Sequence, residues 1–347
     1  METIDIEARL AAADALAEQH QALAAIDELD ALYREHPDAR VACRLVELRH
    51  AAFVELAREP GRPGWPAVFD DPFPGQQGIV EATPSTLSGD LLGGAITHHG
   101  CLRVNGLIDT ATAGRFRERI ERAFVLREEI AEGAPPDSAA PDFFPYAPGR
   151  PKAEGFGRDL FVRVVDAPAA MCDLVDVLTA SGVRRAVTEY LGERPGMIAN
   201  KWVMRRSSGV ITSDFHQDGA FLGEARASRG TIVSPTIRTV DCWIALSPCG
   251  PGTGRPAMDI VPARLDGILP TGEGSTFPWS IAEQAVRTAL PDAPVVSPVF
   301  APGDALFFDE RLPHRTTPGP ELDVRYAIES WFVAPSAYPA KHVPVVF

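Results

Sequence analysis

The chain has 347 residues, 45% hydrophobic and 23% charged, and 33 Lys and Arg against 47 Asp and Glu leave a formal charge of −14. A chain this long can bury a substantial core, which excludes disorder as its main state, and the acidic balance argues against nucleic acid as a partner, since phosphate backbones are bound by clustered cations. No stretch approaches the ~20 apolar residues of a membrane span, and acids stand where a secretory leader has a basic then apolar run, so a soluble, cytoplasmic protein is expected.

Residues 1–60 read as a helical hairpin. Leu10, Ala13, Leu16, Leu23, Ile26, Leu29 and Leu32 recur at three- and four-residue steps, the pattern of an amphipathic stripe. The pattern breaks at His36-Pro37-Asp38, where Pro37 disfavours helix and Asp38 can cap the second helix. The stripe must pack on the rest of the chain or on a second copy, which would make a homodimer through these helices. Residues 61–90 open with Gly and Pro and read as a linker, and 91–347 as the main domain. There a strand over 101–104 leads to a helix opened by Asp109; His98 and His99 read as the approach to that strand, at a surface turn. Residues 133–158 are rich in Pro, Gly and Ala, long enough for a lid, with two helices near 171–178 and 183–191 beyond them.

From residue 198 onward short apolar runs punctuated by Gly and Pro predict strands over 198–204, 210–215, 239–246, 258–261, 295–300, 305–308 and 324–333. Few helices separate them, so the fold is mainly β with flanking helices, an antiparallel sandwich or barrel. The five cysteines are scattered without CxxC spacing and read as small buried hydrophobes.

The informative polar residues are Asp214-Phe215-His216-Gln217-Asp218, and later His314 and Arg325. Residues two apart on a strand share a face, so His216 can present an imidazole beside either Asp218 or Asp214; alternation alone does not choose. Two histidines and a carboxylate on one face are the donor set of non-haem Fe(II) oxygenases. His314 ends a block, Gly303-Asp304-Ala305-Leu306-Phe307-Phe308 through Pro313, made of a turn and an apolar strand. Arg325 lies on another apolar strand, where a guanidinium is costly to bury unless a carboxylate meets it. That carboxylate could be Glu329, on the same face, or an organic acid beside the metal.

This order of motifs, from about residue 98 to 332, resembles the phytanoyl-CoA dioxygenase family of Fe(II)/2-oxoglutarate-dependent oxygenases. The resemblance implies a double-stranded β-helix (jelly roll) core. It implies that His216, Asp218 and His314 bind iron, that Arg325 holds the distal carboxylate of 2-oxoglutarate, and that Thr316, Trp243 and Asn200 line the cosubstrate site. The implied activity is oxidation, with O2, of a C–H bond of a small molecule, releasing succinate and CO2; Asp218 filling a coordination position favours hydroxylation over halogenation. The sequence departs from the family at Met258-Asp259-Ile260-Val261-Pro262-Ala263-Arg264, where a Pro-Gly-Ser-His is usual. The rival readings are a jelly-roll enzyme using the same ligands with another metal and a catalytically silent binding scaffold. Phe215, Phe221 and the Phe143–Tyr146 loop suggest apolar pocket walls, while Arg205-Arg206, Trp65 and Trp279 receive no role.

Overall fold

The structure is a computed structural model that describes residues 5–59, 61, 68–136, 142–148, 160–200, 204–207, 214–222, 237–317, 323–338 and 342–347. Its N-terminal segment forms three helices where two were expected: α1 (Ile6–Glu18), α2 (Ala22–Glu35) and α3 (Ala39–Leu56). The additional break falls at His20, whose φ of 59° is left-handed backbone that a helix cannot continue through. Asp38 caps α3 as expected, its carboxylate accepting from the Arg40 N–H.

The apolar stripe of these helices is covered by the chain itself. Ile26, Leu29, Leu45 and Phe53, all 0% exposed, pack with Cys172, Ile198, Val333 and Val346 from the body of the protein. Arg49 locks the junction: it is fully buried, donates to both Asp30 oxygens at 2.8 and 2.6 Å, and donates to the Val346 carbonyl at 2.8 Å. Gly196 is required there, because a Cβ would lie 2.1 Å from the Phe53 ring.

Next come β1 (Val80–Ala82), α4 (Gly89–His99), β2 (Cys101–Val104) and α5 (Thr110–Ala131), the last capped by Asp109 as its sequence indicates. Helix α4 was not expected, and it carries Gly93 and Gly94 in its middle. Both admit close neighbours: added Cβ atoms would meet the Phe69 ring at 2.5 Å and the Asp70 carbonyl at 2.4 Å. His98 and His99 therefore close a helix instead of opening a strand, and His99 is buried with its Nε2 2.8 Å from Asp71. The described part of the 133–158 loop packs inward, Phe143 into the main core and the Tyr146 hydroxyl 2.9 Å from His50 Nδ1 on α3; residues 137–141 and 149–158 lie outside the described residues.

The remaining elements are β3 (Phe161–Val162), α6 (Pro168–Ala180), α7 (Val183–Leu191), β4 (Gly196–Ile198), β5 (Met204–Ser207), α8 (Gly219–Leu222), β6 (Thr239–Ala245), β7 (Met258–Ile260), α9 (Glu283–Ala289), β8 (Ala305–Phe308), β9 (His314–Thr316), β10 (Arg325–Val333) and β11 (Pro344–Val346). Among the described residues nine strands form one sheet along the path β1-β2-β8-β6-β10-β4-β11, with β5 on β10 and β3 on β5. Every pairing is antiparallel except β1 with β2. A second ladder joins β7 to β9. The expected strand over 295–300 contributes only single bridges, Val296 to Ile260 and Phe300 to Cys249, because Pro298 has no N–H to give a ladder. Residues 210–213 of another expected strand lie outside the described residues.

Period two sorts the large sheet's side chains. Val240, Cys242, Ile244, Phe307, Ile328 and Phe332 face the core shared with the helices. Trp243, Ala245, Leu306, Phe308 and Ala327 face the other way and pack with Met258 and Ile260 of the small ladder. Both faces are thus buried, which is why β6 reads as an almost continuous apolar run. Among the described residues no helix is long and apolar enough to cross a membrane.

Candidate metal centre

The gap between the two strand layers holds the chemistry. His216 and His314 face each other across an antiparallel bridge, each backbone N–H donating to the other's carbonyl at 2.9 and 3.0 Å. Their rings are 4.3 Å apart between centroids. His314 Nδ1 lies 3.0 Å from the Leu312 carbonyl and His216 Nδ1 3.4 Å from the Asp214 carbonyl. A carbonyl can only accept, so Nδ1 carries the proton and Nε2 is the nitrogen with the lone pair in each ring.

Asp218 joins them through a turn, not through strand alternation. The chain leaves the bridge at Gln217, turns at Asp218 and enters α8, with the Gly219 N–H donating to the Glu310 carbonyl at 2.9 Å. Gly219 suits the turn because a Cβ would meet Ile268 at 2.5 Å. Asp218 is 2% exposed, with one oxygen 4.0 Å from His216 Nε2 and the other 4.0 Å from His314 Nε2. Asp214, which alternation could not separate from Asp218, points its carboxylate to the Thr276 N–H instead.

This set fits a metal. The three donor atoms lie within 4.8 Å of one another, a spacing at which all three could bind one first-row metal ion. Two imidazoles and one carboxylate on one side leave the opposite positions open. Asp241 on β6 is fully buried behind Asp218; burial, then the charges of Asp218 and Glu329, push its carboxyl well above the usual range.

His216, Asp218, His314, Trp243, Thr316 and Arg325 all line one cavity. Arg325 is 2% exposed and makes no ion pair with any described carboxylate; it donates to the Ala257 and Pro256 carbonyls at 2.9 and 3.3 Å and to Thr316 Oγ1 at 3.1 Å. Burial lowers it to about 10, so it stays charged at neutral pH. Glu329, its alternative partner by sequence, is engaged elsewhere: it pairs with Arg205 and accepts from Trp331 Nε1 at 3.0 Å. Two buried donors, Arg325 Nε and Trp243 Nε1, have no acceptor among the described residues. Asn200 is not brought to the cavity; its Oδ1 accepts from the Val343 N–H at 2.9 Å, which ties β4 to the segment entering β11. Nor does the described part of the Phe143–Tyr146 loop line it, and Phe215 packs against Val261 and Ile281 beneath Arg315, while Phe221's side chain lies outside the described residues.

Several supporting residues gave no signal in the sequence. Gln217 is fully buried and donates to the Gly267 and Arg311 carbonyls while accepting from the Leu269 N–H, which clamps the loops around the triad. Asp259, in the segment that departs from the family pattern, accepts from Ser297, Thr317 and Arg315, all within 2.9 Å. Burial pushes its carboxyl up, but those bonds outweigh it and hold the group below its ordinary value. That segment, β7, pairs Ile260 with His314 and Met258 with Thr316, so the departure supplies the strand that positions both.

No family model and no curated protein matches the chain. Solved structures similar to it include EctD from S. alaskensis with 2-oxoglutarate and 5-hydroxyectoine (12% identity, covering 80% of this chain and 87% of its own, TM-score 0.47). Others are the apo non-heme monooxygenase ThoJ (16%, 74% and 84%, TM-score 0.46) and the epimerase SnoN in complex with Fe3+, alpha-ketoglutarate and nogalamycin RO (14%, 72% and 84%, TM-score 0.43).

Proposed function

We propose that this chain is a non-haem Fe(II)- and 2-oxoglutarate-dependent oxygenase built on a double-stranded β-helix core, and that it oxidises a C–H bond of a small molecule. His216, Asp218 and His314 would hold the iron, with the Nδ1 contacts of the two histidines and the turn at Gly219 keeping the donors directed inward. Bound iron would supply the chemistry that protein groups lack, oxidation by O2 with conversion of 2-oxoglutarate to succinate and CO2.

One observation carries the reading: a buried guanidinium without a carboxylate partner among the described residues sits in the same cavity as a two-histidine, one-carboxylate set. An unpaired buried cation is expensive, and a dicarboxylic keto acid meets both needs, one end toward the metal and the other on Arg325. Thr316 would orient the guanidinium, and Trp243 Nε1–H would gain an acceptor that no described residue supplies. A silent scaffold or an enzyme with no organic acid cosubstrate has no use for that charge.

The test is anaerobic reconstitution with Fe(II), metal analysis and succinate release with and without 2-oxoglutarate. We expect about one iron per chain and succinate formation, both lost in Asp218→Ala and His314→Ala. Full 2-oxoglutarate turnover by Asp218→Ala would refute the ligand assignment.

A further inference from the structure

Strand β5 gives the metal cavity two polar residues, Arg205 and Ser207. Their neighbours face the other way, Met204 into the main core and Arg206 over the Phe124 ring at 4.0 Å, so alternation turns positions 205 and 207 to the gap between the strand layers. Arg205 is engaged by Glu329. Ser207 is 6% exposed, and no described residue bonds its hydroxyl.

Strand register sets what that hydroxyl stands beside. Ser207 is the direct partner of Arg325 in the antiparallel ladder of β5 with β10, and both residues line the cavity. Opposed residues on one face of such a ladder have Cβ atoms about 4.5–5.5 Å apart, so the hydroxyl sits at the root of the arginine stem. The facing layer supplies a second hydroxyl: Arg325 Nη2 donates to Thr316 Oγ1 at 3.1 Å. Thr316 stands on the small ladder and Ser207 on the large sheet, so each layer places one hydroxyl next to Arg325.

The two hydroxyls differ in what they can do. Thr316 Oγ1 accepts from the guanidinium and orients it, whereas the Ser207 hydroxyl is a buried donor that gains only when an acceptor enters the cavity. We infer that Ser207 is a cosubstrate-binding residue, whose Oγ–H donates to the distal carboxylate of the keto acid held on Arg325. The inference rests on the oxygenase reading and adds to it a second group that selects for a dicarboxylic keto acid.

The experiment is equilibrium dialysis of two keto acids against the Fe(II)-loaded protein without O2. The probes are 2-oxoglutarate and 2-oxopentanoate, which has the same carbon chain with a methyl group in place of the distal carboxylate. A hydrogen bond to a charged group predicts that Ser207→Ala binds 2-oxoglutarate about tenfold to a hundredfold more weakly than the parent. Its binding of 2-oxopentanoate, and of Fe(II) without any keto acid, should stay within about twofold of the parent, since neither meets the hydroxyl. Undiminished binding of 2-oxoglutarate by Ser207→Ala overturns the assignment. So does an equal loss for both keto acids or a loss of Fe(II) binding, either of which shows that the hydroxyl supports the fold instead of the carboxylate. A parent protein that takes up Fe(II) and fails to bind 2-oxoglutarate overturns the oxygenase reading itself, whatever the variant does.

Discussion

Replacing Arg325 by Met separates a ligand-binding charge from a structural one. Burial lowers the guanidinium from 12.5 to about 10, so carrying the charge costs the folded state about 3 kcal/mol at every pH well below 10. Met removes that cost and keeps an extended apolar stem, but leaves the Pro256 and Ala257 carbonyls and the Thr316 hydroxyl without their donor, at about 1 kcal/mol each. The two effects nearly cancel, and the ligand-free variant should match the parent within about 1 kcal/mol in urea unfolding. Had Arg325 a buried carboxylate partner, the same change would strand that acid and cost about 3–5 kcal/mol. Binding should respond very differently, since losing one side of a desolvated charge pair costs at least about 2–5 kcal/mol, of the order of a hundredfold in affinity. At 2-oxoglutarate one hundred times its parental Kd, the metal-loaded parent gains about 2.7 kcal/mol of stability; a hundredfold weaker variant gains about 0.4 kcal/mol. Thermal unfolding under nitrogen reads this directly as a rise of several degrees against one near zero. Arg325→Lys, which keeps the charge without the planar fork, should fall between. A Met variant that keeps the full 2-oxoglutarate response, or loses about 3–5 kcal/mol without ligand, refutes the assignment.

Glu310 should give the protein a pH-dependent stability: burial, then the charge of Asp309, raise its carboxyl from 4.5 to about 7 against the bond from Thr239 that lowers it. The unfolded chain then ionises first, so stability falls by about 3 kcal/mol as pH rises from roughly 4.5 to 7 and levels above that; Glu310→Gln should flatten this part of the profile in urea melts at pH 5 and 8, and an unchanged slope would dismiss the cause. Phe53→Ala should cost about 3–5 kcal/mol, because the ring is fully buried against Gly196 and edge-on to Tyr338 at 4.9 Å. If the N-terminal helices are part of one cooperative unit, the whole urea transition shifts; a separate early transition would show that they unfold independently.

The parts of the fold that could be read from sequence are those set by local pattern. Helix α7, strand β2 and strand β8 fall on the residues expected, and Asp38 and Asp109 cap the helices they were expected to open. What failed depended on neighbours distant in the chain. The glycines of α4 argue against a helix until Phe69 and Asp70 are seen occupying the space their side chains would need. His20 has no local signature of a break, and its left-handed backbone, rare outside glycine, divides an amphipathic stripe that continues on both sides.

The same division runs through the site. His314 stood out at the end of an apolar strand and His216 for the carboxylates two residues to either side, yet the carboxylate could not be chosen between Asp214 and Asp218 by alternation, since Asp218 arrives by a turn. What separates them is occupation: Asp214 is spent holding the Thr276 N–H, and only Asp218 turns to both histidines. Arg325 follows similar logic. On β10 it shares a face with Glu329, and period two makes them candidates for each other, but register places Ala327 opposite Arg205, so the next inward residue on β10, Glu329, meets that guanidinium across the strand gap. A pairing that looked intrastrand is interstrand, and its consequence is a second guanidinium beside the candidate ligands that no described carboxylate neutralises. The charge that most constrains the chemistry was therefore visible in the sequence, while the fact that makes it informative, the prior engagement of the acid on its own strand face, follows from strand register.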